Sequence, residues 1–198
     1  KFGLASLTAA MLDEGAGSRN ALELADAVDF LGASLATTAS FDASAVRLNV
    51  PVARIKEALP LMADVILRPT FPGAELERLR QERLTALLQA KDDPASVAPM
   101  AFARTVFGAT HRYGTGVAGT ETTLKAFTVP DLKTFHASKY QPGNSVLIVV
   151  GDVKLDAIVP QLEMQFGSWK GTSPTRVPVP QAPQVAQGQI TIVDMPGA

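Results

Sequence analysis

Two histidines are the first candidates for chemistry, because imidazole is the side chain most often used as a general base or metal ligand near neutral pH. His111 lies in a glycine-rich stretch, and His136 lies in a helical pattern 25 positions further along the chain. Neither has a second histidine or a carboxylate at metal-ligand spacing. We therefore interpret His136 as a packing or helix-surface residue and His111 as a residue that shapes its loop.

Hydroxyl, carboxylate and glycine motifs give no stronger signal for catalysis. Ser6 has no Gly-x-Ser-x-Gly frame around it, so it does not match a nucleophile elbow. Asp92 and Asp93 precede Pro94 and predict a helix cap. The glycine-rich stretch 108–119 does not follow a strand pattern and lacks the Lys-Ser/Thr ending of a phosphate-binding loop. The residues alone therefore predict no enzyme.

Composition excludes several classes of protein. The 198 residues carry a net charge of −1, so there is no basic excess to indicate nucleic-acid binding. No apolar run approaches the roughly 20 residues of a membrane-spanning helix, and we predict no membrane span. The absence of cysteine excludes disulfides, thiolate zinc sites and a cysteine nucleophile. A hydrophobic content of 46% is ordinary for a folded domain with a buried core.

Helical patterns begin the chain. In the first, from Gly3, an apolar face recurs at three- and four-residue spacing and the remaining residues are small; the face contains Leu4, Leu7, Met11 and Leu12. Asn20 is the expected N-cap of a second helix, with Glu23 at the third position of a capping box and Gly32 at its end. A third helix is predicted over 52–67. A long fourth helix is predicted from Gly73 to about Lys91. Its charged residues, Arg80 and Arg83 among them, are expected on a solvated face, and its buried side is expected to consist of Leu76, Leu79, Leu84, Leu87 and Leu88.

Strand patterns indicate an α+β fold with helices packed on a mainly antiparallel sheet. Residues 34–50 alternate and predict a hairpin that turns at 42–44, with Val46, Leu48 and Val50 toward the core. The continuous apolar run 145–150 predicts a central strand buried on both faces. We expect an α+β domain over 1–170, a Pro-rich linker over 171–188 and the start of a following domain over 189–198, with its opening strand at 189–193. Both ends look cut, so we expect a piece of a longer protein.

Several short stretches, taken in order, resemble the pitrilysin/insulinase family of zinc peptidases, the inverted zincins. The resemblance covers Gly3 to about Lys170 and depends on the combination of pieces rather than on any one of them. The pieces are Leu31-Gly-Ala-Ser-Leu35, Arg68-Pro-Thr-Phe71, His111-Arg-Tyr-Gly114, Asp131-Leu-Lys-Thr-Phe-His136, Tyr140-Gln-Pro-Gly-Asn144 and Val149-Val-Gly-Asp152.

The resemblance implies a degenerate active site. Active members carry His-x-x-Glu-His on the first helix, with two zinc-binding histidines and a glutamate as general base. Aligned on Gly3–Met11, the histidine positions fall on Ser6 and Ala10, and the glutamate position falls on Ala9. The third ligand, a glutamate on the long later helix, falls at about Ala86, beside Thr85. The resemblance thus implies no catalytic, metal or cofactor-binding residue here, since serine and alanine supply neither the zinc ligands nor the base.

Family members are built from duplicated halves, one with the metal and one degenerate, which close around a peptide. The resemblance therefore implies a non-catalytic domain of a bacterial zinc metallopeptidase that helps enclose peptide substrate. It would dock to a catalytic half, in the same chain or as a separate subunit, and zinc is expected only in that half. The parent protein is expected to be a zinc metalloprotease at the family level, and both a periplasmic and a cytoplasmic location stay open.

Two other hypotheses belong to different classes. The first is a structural or interaction protein of the same fold without peptidase activity, and a neighbouring gene with an intact His-x-x-Glu-His would argue against it. The second is an enzyme that uses His111, which an unchanged activity after His111→Ala would exclude.

Overall fold

The structure is a computed structural model that describes residues 1–173, 178–183 and 187–195. Across these residues eight helices follow one another along the chain. They are α1 (Leu4–Ala10), α2 (Ala21–Phe30), α3 (Ile55–Leu67), α4 (Gly73–Gln89), α5 (Pro94–Phe107), α6 (Glu121–Ala126), α7 (Val129–Lys139) and α8 (Leu155–Phe166). A 3₁₀ turn, Val52–Arg54, leads into α3. None of the described helices is long and apolar enough to cross a membrane.

Four short strands accompany the helices, and their pairing is antiparallel. β1 (Gly15–Ala16) pairs with β2 (Arg19–Asn20), and β3 (Ser34–Ala39) pairs with β4 (Ser44–Asn49). In the hairpin Thr37 lies opposite Val46, and the Ser40 hydroxyl accepts the backbone N–H groups of the turn at 42 and 43. Helices α1, α2 and α3 pack against this hairpin. The structure therefore confirms the predicted α+β fold class, with helices on antiparallel strands.

The hairpin faces the core as its alternation predicts. Val46, Leu48 and Val50 are half-buried against the core, whereas Arg47 and Asn49 point to solvent. The core itself combines residues from distant parts of the chain, which are Leu7, Met11, Leu12, Leu24, Leu61, Val65, Leu76, Leu124, Phe127 and Leu132. Burial of such side chains stabilises a fold by about 1.5–3 kcal/mol each, so α1 is held mainly by its apolar face.

Helix caps follow the sequence closely. The Asn20 side chain accepts from the Glu23 N–H and the Glu23 carboxylate accepts from the Asn20 N–H, which is the predicted capping box. Gly32 follows α2 with φ +61°, a left-handed conformation that glycine adopts without strain. The Asp93 side chain accepts from the Ala95 N–H and begins α5, as predicted.

The prediction of a buried central strand at 145–150 is wrong. The run is extended, but it pairs with no strand of the described ranges, and its side chains lie toward solvent. Leu147 and Val149 are 44% and 40% exposed, whereas Val146 and Val150 are 87% and 91% exposed. The exposure of the side chains alternates along the run, as it does in a strand, and the side chains of one face are half-covered. Apolar residues on both faces require a neighbour on each side, which the described part of the chain does not provide.

Two further expectations need correction. The segment 189–193 forms no strand among the residues that the structure describes, and Ile190 and Ile192 are 94% and 87% exposed. On α4, Arg80 is buried rather than solvated, and Leu88 is exposed rather than buried. Within 171–173, 178–183 and 187–188 there is neither helix nor strand. The division into domain, linker and following domain stays a prediction.

Candidate functional site

Arg83 of α4 contacts α1 at Ser6, which is one of the four positions that the family resemblance predicts to be degenerate. Ser6, Ala9 and Ala10 are spaced to share one face of α1. Ser6 and Ala10 are half-buried, Ala9 is buried, and Ala86 is exposed on α4. A single side chain joins the two helices here: Nη1 of Arg83 donates to Ser6 Oγ at 3.0 Å, and Nη2 donates to the Ser6 carbonyl at 2.9 Å. Arg83 lies three residues before Ala86, so both are on the same face of α4.

A close backbone approach fixes the start of α1. Gly3, which precedes the helix, has φ +85°, and Gly119 at the end of the glycine-rich loop has φ +88°. A Cβ on Gly3 would lie 2.5 Å from the Ala118 carbonyl oxygen, and one on Gly119 would lie 2.8 Å from the Phe2 carbonyl oxygen. Only glycine fits both the positive φ and the small space at these two positions. The glycine-rich loop therefore packs directly against the N-terminus of α1.

Three arginines on α4 differ in their partners. Arg78 forms ion pairs with Glu14, Glu75 and Glu82 on the protein surface. Arg80 is buried and donates to the carbonyl oxygens of Leu124 and Phe127 at the end of α6, while Glu77 balances its charge. Among the described residues, Arg83 bonds only to Ser6. Burial lowers the pKa of the Arg83 guanidinium and nearby Glu82 opposes that shift, yet an arginine stays charged at neutral pH.

His136 is a packing residue in the structure. Its Nε2 is 2.8 Å from the carbonyl oxygen of Ile66, in the last turn of α3, and its ring stacks on Tyr140 with centroids 4.8 Å apart. Since a carbonyl only accepts, Nε2 carries the proton. Burial lowers the pKa of His136, and the bond to Ile66 opposes that shift only in part. The neutral, donating imidazole is therefore favoured in the folded protein.

His111 has both ring nitrogens engaged. Nδ1 accepts the Tyr113 N–H at 3.1 Å, and Nε2 lies 2.9 Å from the Pro180 carbonyl oxygen, so the hydrogen-bond network assigns the proton to Nε2. The ring also stacks on Phe107 with centroids 5.2 Å apart. A histidine used in this way has no free nitrogen to act as a base. The structure thus gives no support to an enzyme that uses His111.

A groove of about 680 Å³ separates α5 from the segment 187–195. Its lining includes Val97, Phe102, Val193 and Met195 but no acidic, basic or histidine side chain. The groove offers no group for acid–base or metal chemistry. Across the described ranges, no set of three or more His, Asp or Glu side chains is placed to hold a metal ion.

Sequence reasoning missed Arg83, although a signal was available. Leu76, Leu79, Arg80, Arg83 and Leu87 recur at three- and four-residue spacing, so two arginines lie in phase with the buried leucines of α4. Charged residues in phase with an apolar face contact something specific far more often than those on the opposite face. This pattern was missed because α4 carries many charged residues of both signs and is therefore polar on average.

Two family models match the chain. The model described as Insulinase (Peptidase family M16) matches residues 1–120, and the model described as Peptidase M16 inactive domain matches residues 126–197. The chain belongs to peptidase family M16. This result confirms the resemblance to pitrilysin and insulinase that the sequence motifs indicated.

Relatives and solved structures agree with the M16 assignment. An uncharacterized zinc protease of Mycobacterium leprae is 28% identical over 80% of this chain and 35% of that protein. A Helicobacter pylori protein named non-peptidase homolog YmxG is 25% identical over 82% of this chain and 37% of that protein. The crystal structure of a peptidase M16 inactive domain from Pseudomonas fluorescens has a TM-score of 0.84 and 29% identity, and covers 92% of this chain and 44% of that one. The chain spans about a third of the length of these curated relatives.

Proposed function

We propose that this M16 domain is non-catalytic, helps to enclose a peptide substrate, and docks to a catalytic half that carries His-x-x-Glu-His and the zinc. The observation that carries the proposal is the composition of the α1–α4 contact. By the family resemblance the four functional positions fall on Ser6, Ala9, Ala10 and about Ala86, none of which can bind zinc, and the positive side chain of Arg83 bonds to Ser6 from α4. A fixed cation in that place repels Zn²⁺ rather than binding it.

The comparisons support the proposal at the level of the family. Zinc belongs to the M16 family through the zinc proteases among its members, and residues 126–197 match the model of its inactive domain. Neither α1 nor α4 offers a His, Asp or Glu side chain at the aligned ligand positions. Docking to a catalytic half and contact with peptide are our inference from this loss of ligands in a family built from paired halves.

A second candidate is a structural or interaction protein of M16 fold with no peptidase partner. The name of the Helicobacter pylori relative, non-peptidase homolog, favours it. The two candidates differ in one requirement, which is the presence of a catalytic half in the same chain or in a neighbouring gene.

Zinc content and peptide cleavage test the proposal directly. We expect the full-length parent protein with its catalytic half to cleave peptides and hold zinc only through that half. The non-catalytic half alone should contain no stoichiometric zinc and cleave nothing. Stoichiometric zinc or cleavage by this half alone would show that the active helix has been misplaced. Failure of every mixture to cleave, with a folded partner present, would favour the structural alternative.

Restoring the motif tests the assignment of the four positions without requiring a partner protein. The changes Ser6→His, Ala9→Glu, Ala10→His and Ala86→Glu, combined with Arg83→Leu to remove the cation, should create stoichiometric zinc binding. The matched control omits only Ala86→Glu, which leaves two ligands and should bind zinc far more weakly. A folded five-change variant without zinc would contradict the assignment of these positions.

A further inference from the structure

Arg83 is a half-buried cation without a charge partner. Its guanidinium has no carboxylate within 4.0 Å among residues 1–173, 178–183 and 187–195. The remaining residues of the sequence contain no Asp or Glu side chain. Fully buried arginines are almost always paired, and this half-buried one bonds only to a neutral serine among the described residues. A carboxylate from outside these residues would supply what this site lacks.

The geometry of the side chain leaves one edge for such a group. A guanidinium carries five N–H donors, and the bonds to Ser6 use one hydrogen of Nη1 and one of Nη2. The edge formed by Nε and the second hydrogen of Nη2 has no acceptor in the described part of the chain. Two parallel N–H groups of this kind match the two oxygens of a carboxylate. Because Ser6 holds the adjacent edge, formed by Nη1 and Nη2, the guanidinium is oriented before any ligand arrives.

The surroundings of Arg83 are suited to a ligand. Thr85 and Ala86, which follow Arg83 on α4, are exposed. Glu82, the acidic neighbour, pairs with Arg78 at 3.5 Å. Its charge stabilises the Arg83 guanidinium from a distance, but the two side chains form no ion pair within 4.0 Å. Partial burial strengthens the attraction between the guanidinium and an incoming carboxylate, because less water screens it.

We propose that Arg83 is the binding residue for a carboxylate group of a peptide, with the free Nε and Nη2 edge bonding to both carboxylate oxygens. The inference rests on the proposed function, since it requires peptide to lie against the α1–α4 contact. It adds a substrate class to that function: peptides that present a C-terminal carboxylate or an acidic side chain to this half. Ser6 acts as a positioning residue that holds the guanidinium in the orientation that presents this edge.

The test compares three acetylated peptides of one apolar sequence on the full-length non-catalytic half. One has a free C-terminal carboxylate, one is its C-terminal amide, and one is the amide with an internal glutamate. We expect Arg83→Met to weaken binding of a carboxylate peptide by about tenfold or more and to leave the neutral amide unchanged. The peptide that responds identifies whether the terminal or the side-chain carboxylate is the ligand. Arg83→Lys, which keeps the charge but loses the fork, should recover part of the affinity.

Arg104→Met is the matched control, because Arg104 is exposed on α5 and its loss changes the net charge equally. An equal loss of affinity in this control, or equal binding of all three peptides by Arg83→Met and the natural protein, would overturn the proposal. A third outcome would also overturn the proposal: the Arg83→Met protein binds peptides normally but no longer assembles with its catalytic half in sedimentation. The carboxylate bound by Arg83 would then belong to the partner. Cleavage by the assembled halves, measured in parallel, reports separately on the proposed function.

Discussion

Arg80 and Arg83 lie one turn apart on α4 and show two uses of the same side chain. Arg80 is 7% exposed and has every partner it needs: two carbonyl groups at the end of α6 and the carboxylate of Glu77. Arg83 is half-buried and, within the part of the chain that the structure describes, hydrogen-bonds to Ser6 alone. The first closes the joint between α4 and α6, whereas the second, at the joint between α4 and α1, leaves three of its five N–H donors without an acceptor in the described part of the chain.

This difference indicates a structural role for Arg80 and a binding role for Arg83. A buried ion that is fully satisfied contributes to the fold, because its removal leaves buried acceptors without donors. A cation that is partly satisfied gains little for the fold and keeps its capacity for a ligand. We therefore expect changes at Arg80 to reduce stability and changes at Arg83 to alter binding.

The largest expected effect is that of Arg80→Met. The substitution keeps an unbranched apolar stem but leaves the Leu124 and Phe127 carbonyl groups without donors, so the free energy of unfolding should fall by about 3 kcal/mol. Urea unfolding followed by circular dichroism measures it. Arg83→Met is the matched control and should change the free energy of unfolding by less than about 1 kcal/mol, since Ser6 is half-buried. Equal losses in the two variants would refute the contrast between the joints.

An intermediate effect is expected for Gly119→Ala, which tests what holds α1 in place. The new Cβ would lie 2.8 Å from the Phe2 carbonyl oxygen and 2.9 Å from the Gly3 Cα, on backbone with positive φ. We expect a loss of about 2 kcal/mol in the free energy of unfolding. Gly32→Ala is the control, because it has φ +61° and open space around it, and should lose about 1 kcal/mol from strain alone. If the control lost as much, the close approach of the two backbones would not be what positions α1.

The smallest effect is a pH dependence that arises at His136, which, like Arg80, donates to a carbonyl at a helix end. Burial lowers its pKa in the folded protein below the ordinary value of 6.5. The unfolded chain then takes up a proton that the folded chain does not, so stability falls as pH decreases below about 6.5 and levels off below the folded pKa. His136→Gln keeps a donor for Ile66 but does not titrate, and unfolding at a series of pH values should show that this part of the dependence disappears. An unchanged pH profile in His136→Gln would contradict the assignment to this residue.

Local signals in the sequence predicted the fold class, the hairpin and the caps, because a capping box or an alternating strand is determined by residues close together in the chain. Asn20 with Glu23, and Val46 with Leu48, are examples. The burial of the run 145–150 was predicted wrongly, because burial of a strand depends on which strands lie beside it. Arg83 was missed for a related reason: its bond to Ser6 joins positions 77 residues apart. The four degenerate positions came from family resemblance alone and stay a prediction.

The apolar run at 145–150 has a practical consequence for work with this protein in solution. Five consecutive branched aliphatic residues, without a charge or proline, lie extended with their side chains toward water. Such a segment readily stacks on identical segments of other molecules and forms intermolecular β-structure. We expect the purified chain to self-associate as its concentration rises, and a single lysine in place of Ile148 to extend the range over which it stays monomeric.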